Sequence, residues 1–198
     1  MDLQILKYES KYEDRWLECL KNSFYDSIYY DSLLKIKPRY ESLSIDLVAF
    51  LHDELVGLLD IEIVSPDEQI CCPQNIICSQ IALVAILPDK RRMKIGTKLL
   101  ETAIQILKNE TPVKKIEILF REDNIISSWL STLDFEKCAH YFEVSLTSDF
   151  LKKYEIILPF GLIADRFNAF AEQEAYDIIS NEHAPELTYP ISVFQRTI

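Results

Sequence analysis

Ile86-Leu87-Pro88-Asp89-Lys90-Arg91-Arg92-Met93-Lys94-Ile95-Gly96-Thr97-Lys98-Leu99-Leu100 decides the reading of this chain. From Asp89 to Lys98 it carries five basic residues and one acid, a local charge of +4 in a protein whose net charge is -11. Just upstream, Ile81 to Leu87 is continuously apolar, as a strand covered on both faces requires. Pro88-Asp89 breaks that strand. Leu99, Leu100, Ala103, Ile104 and Leu107 then recur at the spacing of an amphipathic helix over 96–108. The basic stretch therefore falls between a buried strand and a helix N-terminus, where unpaired backbone N–H groups and the helix dipole favour a phosphate. A basic helix cap facing solvent explains the same charge, and charge and position alone leave the two readings level.

Working outward, Leu3 to Lys7 is strand-like, and Ser10-Lys11-Tyr12-Glu13 has capping-box spacing before a helix whose buried face is Trp16, Leu17, Leu20 and Phe24. Tyr25 to Tyr40 reads as a second short helical element and a loop, stopped by Pro38. Leu47 to Leu51 and Leu55 to Val64 form a hairpin about His52-Asp53-Glu54, with Gly57 marking a bulge or a close backbone approach. In its second strand Leu59, Ile61 and Ile63 alternate with Asp60 and Glu62, so the two carboxylates share one face, a candidate cleft wall. Exposed acids on a half-buried strand would look the same. Val113 to Phe120 is a further strand, Asp123 or Asn124 caps a helix with Ile126, Trp129, Leu130 and Leu133 on its buried face, and Phe135 to Leu146 is strand-like again. This alternation is that of an α/β (α+β) fold, a sheet flanked by helices. Beyond it, Tyr154 to Leu158 is strand-like, Asp165 to Ser180 reads as a helix through Phe167, Phe170, Ala171, Ala175, Ile178 and Ile179, and Leu187 to Ile198 is a last strand kept near an edge by Pro190. Residues 1–147 are thus expected to form the main domain and 148–198 a helical C-terminal extension packed on it.

Composition narrows the function. A chain of 198 residues with 48% hydrophobic and 27% charged residues is an ordinary folded protein, not a disordered or fibrous one. An excess of 32 acids over 21 bases argues against nucleic-acid binding and against attachment to an anionic membrane. No apolar run reaches membrane-span length, and Met1-Asp2-Leu3-Gln4 lacks the opening of a signal peptide, so the cytoplasm is the expected location. Five cysteines, an odd number, read as reduced thiols; Cys71-Cys72 and Cys78 lack CxxC spacing and a nearby histidine, so no metal is expected.

The stretch from Ile86 to Leu100 resembles the acyl-CoA-binding motif of the GCN5-related N-acetyltransferases (GNAT family), apolar-x-Pro-x-x-Arg/Gln-x-x-Gly-x-Gly/Ala before an amphipathic helix. The order of elements from about Leu3 to Leu146 resembles that family as well. The resemblance implies a mixed, largely antiparallel central sheet and acetyl-CoA as cosubstrate. It implies that Arg91, Arg92, Met93, Lys94, Ile95 and Gly96 line the pyrophosphate, with Thr97 opening the helix. Ala85, Ile86 and Leu87 would pair with the pantetheine arm like an added strand, and Asn124 would join the cofactor site. Three positions depart from the family pattern: Lys94 stands at its first glycine, Asp134 precedes Phe135 where it has Gly-Phe, and Leu130 occupies the place of its proton-donating tyrosine. A hydrocarbon donates no proton.

The implied chemistry is direct attack of a neutral amine on the thioester. Asp60 and Glu62 are the candidate residues for holding or deprotonating the amine. His52 and His140 are read as structural, and Cys138 has no visible activating partner. The chain is expected to be an N-acetyltransferase acting on a primary amine of a small molecule or peptide, with the acidic balance leaning toward a cationic acceptor. The alternative is a non-catalytic acyl-CoA-binding or sensing module on the same fold. The C-terminal helix is left three roles: completing the core, covering the acceptor cleft, or joining two subunits as a homodimer.

Overall fold

The computed structural model describes residues 2–30, 32–147, 162–163, 166–171 and 188–198. By backbone packing these fall into two units, the first comprising residues 1–118 and 195–198, the second 119–194.

In the first unit β1 (Leu3–Lys7), β2 (Ser44–Leu51), β3 (Glu54–Val64) and β4 (Cys78–Ile86) pair antiparallel in that order. The early residues of β5 (Lys115–Arg121) pair with β4 in parallel. Helices α1 (Glu13–Phe24) and α2 (Ile95–Glu110) pack on this sheet. The hairpin of β2 and β3 turns at His52, whose φ of 54° is left-handed. Most of β3 is buried on both faces, which is why its sequence runs apolar through Leu58, Leu59 and Ile61. On α2, Ile95, Leu99, Leu100, Ala103, Ile104 and Leu107 form the buried stripe that the periodicity predicts, and each large apolar side chain so buried contributes about 1.5–3 kcal/mol. On α1 the buried face is Trp16, Cys19 and Leu20, one turn of which the helical spacing identifies. Tyr12, not Ser10, is its N-cap and no side chain caps it; a capping box is formed instead by Ser65 with Glu68, on the short helical turn that follows β3. Within the described part of Tyr25 to Tyr40 there is no second helix, only turns, and Tyr25, Tyr30, Leu33, Leu34 and Ile36 are exposed.

In the second unit the strand order is β5, β9 (Thr188–Thr197), β6 (Glu136–Thr147), β8 (Arg166–Ala171), β7 (Leu162–Ile163). Helix α3 (Asn124–Ser131) follows β5 and is capped by Asp123, which accepts from the amides of Ile125 and Ile126 at 2.6 and 3.2 Å. The Arg121 guanidinium pairs with Glu143 at 2.8 Å and lies 3.8 Å from the Tyr189 ring centroid. The expected helix over 165–180 is corrected here. Residues 166–171 are a strand, antiparallel to β6 with Phe142 opposite Ala171 and Thr147 opposite Arg166. Phe167 and Phe170 suit either period, and an aromatic-rich segment beside a free strand edge gains a ladder that a lone helix lacks. The expected strand at 154–158 and residues 172–180 lie outside the described residues. The last strand is present as β9, but the expected edge position is corrected: β9 runs between β5 and β6, and Pro190, which has no amide to give, takes part through its carbonyl, which accepts from the Glu122 amide at 2.7 Å.

Gly57 has no room for a side chain. A Cβ there would lie 2.7 Å from Ile86 Cδ1, 3.1 Å from Ile95 Cγ2 and 3.2 Å from Leu99 Cδ1. The close approach inferred from a glycine in a strand is therefore that of α2 to β3. Gly57→Val should lower stability by about 1–3 kcal/mol through overpacking, read as a fall in the urea midpoint.

Candidate active site

β4 changes character along its length. From Cys78 to Ile81 it pairs with Lys115 to Ile118 of β5, but the ladder ends there. On its other side the register with β3 shifts at the same point, Asp60 facing Leu83 and Ile61 facing Ile81, so Ala82 is the extra residue of a bulge. A bulge bends and twists the strand that carries it. From Ala82 to Ile86 β4 has no β5 partner among the described residues, and Ala82 is exposed while Leu83, Val84 and Ile86 are half-buried. Ala85 and Ile86 thus lie on a strand edge able to take an extended ligand arm as a further strand.

At the end of β4 the chain turns sharply. The Leu87 amide donates to Val56 O at 3.1 Å, a short helical turn spans Pro88–Lys90, and the Lys90 amide donates to Leu87 O at 2.9 Å. Arg92 and Lys94 then adopt left-handed backbone, φ 66° and 61°. With Lys94 as N-cap and no capping side chain or acid in its first turn, α2 begins at Ile95 and turns its leading amides toward the loop. Lys98 makes the first bond back, to Lys94 O at 3.0 Å. A helix N-terminus so bare, with exposed basic residues in the loop before it, has the electrostatics that favour an anion.

The basic residues divide by role. Arg91 is a strut: its Nη2 donates to Ser23 O at 3.0 Å and its Nε to Ile86 O at 3.3 Å, fastening the loop to the end of α1. Lys90 is held by Asp89 at 2.6 Å and Glu54 at 3.3 Å. Arg92 and Lys94 are exposed and make no ion pair among the described residues. Met93 is half-buried, Ile95 is in the core, and Gly96 and Thr97 are half-buried in the first turn of α2. Asn124 is exposed in the first turn of α3, in the second unit.

Asp60 does not stand on an open wall. It is fully buried, and its Oδ2 accepts from Lys37 Nζ at 3.0 Å and from the Tyr40 hydroxyl at 3.1 Å. Lys37 Nζ also donates to Asp46 Oδ2 at 2.8 Å and sits 4.9, 5.5 and 5.3 Å from the ring centroids of Tyr8, Trp16 and Tyr40. Burial pushes the Asp60 carboxyl up to about 6 against the lowering pull of Lys37, with Asp46 adding to the rise. Burial lowers the Lys37 ammonium, but the two carboxylates outweigh it and hold it above its usual range. Glu62 is half-buried further along β3, between Ser44 and Gln80. The sequence pattern puts both acids on one face but does not point to Lys37 and Tyr40, which fall in the stretch read as a short helical element and a loop, or to Asp46 on β2. Leu130 is fully buried, so it is a core residue of its unit, and Asp134 holds left-handed backbone at φ 59°.

Two outcomes follow from this geometry. A side chain in left-handed backbone is strained, so Lys94→Gly should raise stability by about 0.5–1 kcal/mol in urea denaturation with an unchanged slope. The folded chain binds the Asp60 proton more tightly than the unfolded chain does. That contribution is fully present below about pH 4 and is lost as pH rises through about 6, a fall of about 2–3 kcal/mol that Asp60→Asn should abolish in a pH series of unfolding curves.

The family model for the acetyltransferase (GNAT) family matches residues 7–128. No curated protein matches the sequence. Among solved structures, the ribosomal-protein-alanine N-acetyltransferase from Brucella melitensis superposes with a TM-score of 0.62 at 15% identity, over 98% of this chain and 99% of that one. A GNAT family acetyltransferase from Elizabethkingia anophelis with acetyl-CoA bound gives 0.54 at 13% identity, over 100% and 99%. The paia N-acetyltransferase from Thermoplasma acidophilum in complex with coenzyme A gives 0.53 at 16%, over 69% and 91%. At such identities these likenesses speak for the fold, a mixed α/β sheet with flanking helices. With the family model covering more than half of the chain, including the β4 bulge, the basic loop and the start of α2, the chain belongs to the acetyltransferase (GNAT) family and is an N-acetyltransferase that uses acetyl-CoA.

Proposed function

We propose that the chain moves the acetyl group of acetyl-CoA directly to a primary amine on a small molecule or peptide. The observation that carries this reading is the free edge of β4 from Ala82 to Ile86, continuous with an uncapped helix N-terminus flanked by Arg92 and Lys94. The pantetheine arm would lie along Ala85, Ile86 and Leu87. The pyrophosphate would meet the amides of Ile95, Gly96 and Thr97 and the charges of Arg92 and Lys94, with Arg91 and Met93 shaping the turn. The acceptor's neutral nitrogen would attack the thioester carbon, the C–S bond would break, and the nitrogen would lose a proton.

Glu62, partly open to solvent, suits a cationic acceptor. Asp60 suits a supporting role on the same strand, since its free oxygen is enclosed and the other is taken by Lys37 and Tyr40. Leu130 is hydrocarbon in a packed core, so the departing thiolate would take its proton from water or another hydroxyl. No helix among the described residues is long and apolar enough to cross a membrane. We place the enzyme in the cytoplasm in this reading.

The test is thermal denaturation with and without acetyl-CoA, followed by thiol release across a panel of amines. Acetyl-CoA should raise the Tm, Arg92→Glu with Lys94→Glu should weaken its binding roughly ten-fold or more, and CoA should be released with one class of primary amine. Equal protection of the double variant would refute the loop assignment. Release indifferent to every amine would refute the acceptor class.

A further inference from the structure

Glu117 lies fully buried on β5, and its carboxylate accepts three backbone N–H groups: those of Cys71 and Cys72 on Oε1 at 2.7 and 2.5 Å, and that of Ile70 on Oε2 at 3.0 Å. A buried carboxylate needs such partners, and in taking them it nails the turn at 70–72 against β5. Six residues on, Cys78 opens β4 and pairs with Lys115 of β5. Both ends of the 72–78 stretch are thus fastened to β5, and the Sγ atoms of Cys72 and Cys78 lie 2.7 Å apart, nearer than unbonded sulfurs ordinarily approach. Both cysteines are reduced and buried.

These two thiols and Glu117 also form a candidate metal triad. The spacing is wrong for it. Two thiolates on tetrahedral zinc, each at about 2.3 Å, sit about 3.8 Å apart. Glu117 is moreover already committed to its three amides.

We infer that Cys72 and Cys78 are a disulfide-forming pair, closed by a hydroperoxide, that staples the 72–78 stretch at the foot of β4. Cys72 is the attacking thiol. It keeps 7% exposure where Cys78 has none. Burial raises both thiols, Cys72 to about 11 and Cys78 further, and contact with Cys78 favours the Cys72 thiolate. The Cys72 sulfur bonds to one peroxide oxygen as the O–O bond breaks, and the other oxygen leaves with the thiol proton, as water when the oxidant is hydrogen peroxide. The Cys78 sulfur then attacks the sulfenic sulfur, the S–S bond forms, the S–O bond breaks, and the hydroxyl leaves with the Cys78 proton as a second water. Two thiols lose two electrons and the peroxide gains them. With thiols held so high the first step is slow, and the second, between atoms already in contact, is fast.

The experiment exposes the reduced full chain to hydrogen peroxide, alkylates the remaining thiols, and maps the crosslinked peptides. The expected product has lost two hydrogens, joins Cys72 to Cys78, reverts with dithiothreitol, and melts roughly 5 °C higher than the reduced chain. Cys71→Ser should form it unchanged. Cys78→Ser should instead accumulate a sulfenic acid at Cys72, trapped by dimedone. A disulfide to Cys71, separate oxygenation or alkylation of Cys72 and Cys78, or stoichiometric zinc held by the pair in the purified protein would each overturn the inference. Should Cys78→Ser fail to fold, the peptide map of the parent chain decides.

Discussion

Helix α2 can rest against β3 only where β3 has nothing to put between them. At Gly57 the distance from a would-be Cβ to Ile86 is 2.7 Å, and to Ile95 and Leu99 it is 3.1 and 3.2 Å. Those three residues are the half-buried end of β4, the first residue of α2 and its next inward turn, so one missing methyl fixes where the strand stops and where the helix starts. The loop between them, from Leu87 to Lys94, must then reverse direction in a handful of residues. It does so with a tight helical turn after Pro88 and left-handed backbone at Arg92 and Lys94. The leading helix amides and the charges around them are therefore consequences of the close packing beneath.

A second constraint lies on the other face of β3. Lys37, Asp46 and Asp60 form a charge cluster in which the lysine is almost wholly enclosed and three aromatic rings surround it. Burying an ion pair gains little in net stability, but breaking one leaves an uncompensated charge at a cost of several kcal/mol. The cluster therefore acts less as glue than as a latch. It gives the segment from Tyr25 to Leu43, which exposes many of its large apolar side chains, one well-defined anchor on β3. Two carboxylates face one ammonium, and this imbalance together with burial leaves Asp60 inclined to keep a proton.

What could be read beforehand follows from which features are local. The α2 stripe and the apolar run of β4 are each encoded within a few consecutive residues and form the helix and strand that they predict, and of the two capping residues that the sequence leaves open Asp123 is the one used. The cover on both faces that the β4 run implies is absent at Ala82, which is exposed, and incomplete at Leu83, Val84 and Ile86. The Ala82 bulge is not local: it is a mismatch between β3 and β4, and no residue in either strand announces it. The latch escaped for the same reason, since Lys37 and Asp60 are 23 residues apart and meet only in three dimensions. Over residues 166–171 the sequence suggests a helix because Phe167 and Phe170 satisfy a helical period, whereas the strand they form depends on pairing with β6. Ser10 with Glu13 shows the opposite error, a correct motif without the geometry to use it.

The departures from the family pattern are instructive once backbone is separated from side chain. Lys94 and Asp134 stand where the pattern has glycines, and both hold φ near 60° in the left-handed region that glycine enters without strain. The chain has only three glycines in all, and among the described residues left-handed backbone is held by His52, Arg92, Lys94 and Asp134 instead. Keeping the path while losing the residue best suited to it means that packing around each turn dictates the conformation: at Lys94 the start of α2, at Asp134 the end of α3, where the Phe135 amide returns to Leu130 O at 3.2 Å. Leu130 follows the opposite rule. There the backbone asks for no special residue, and the side chain is a hydrocarbon sealed in the core where the family pattern has a hydroxyl able to give a proton. Backbone geometry thus survives the loss of the residue best suited to it, as at Lys94 and Asp134, whereas side-chain chemistry does not, since the hydrocarbon of Leu130 can give no proton.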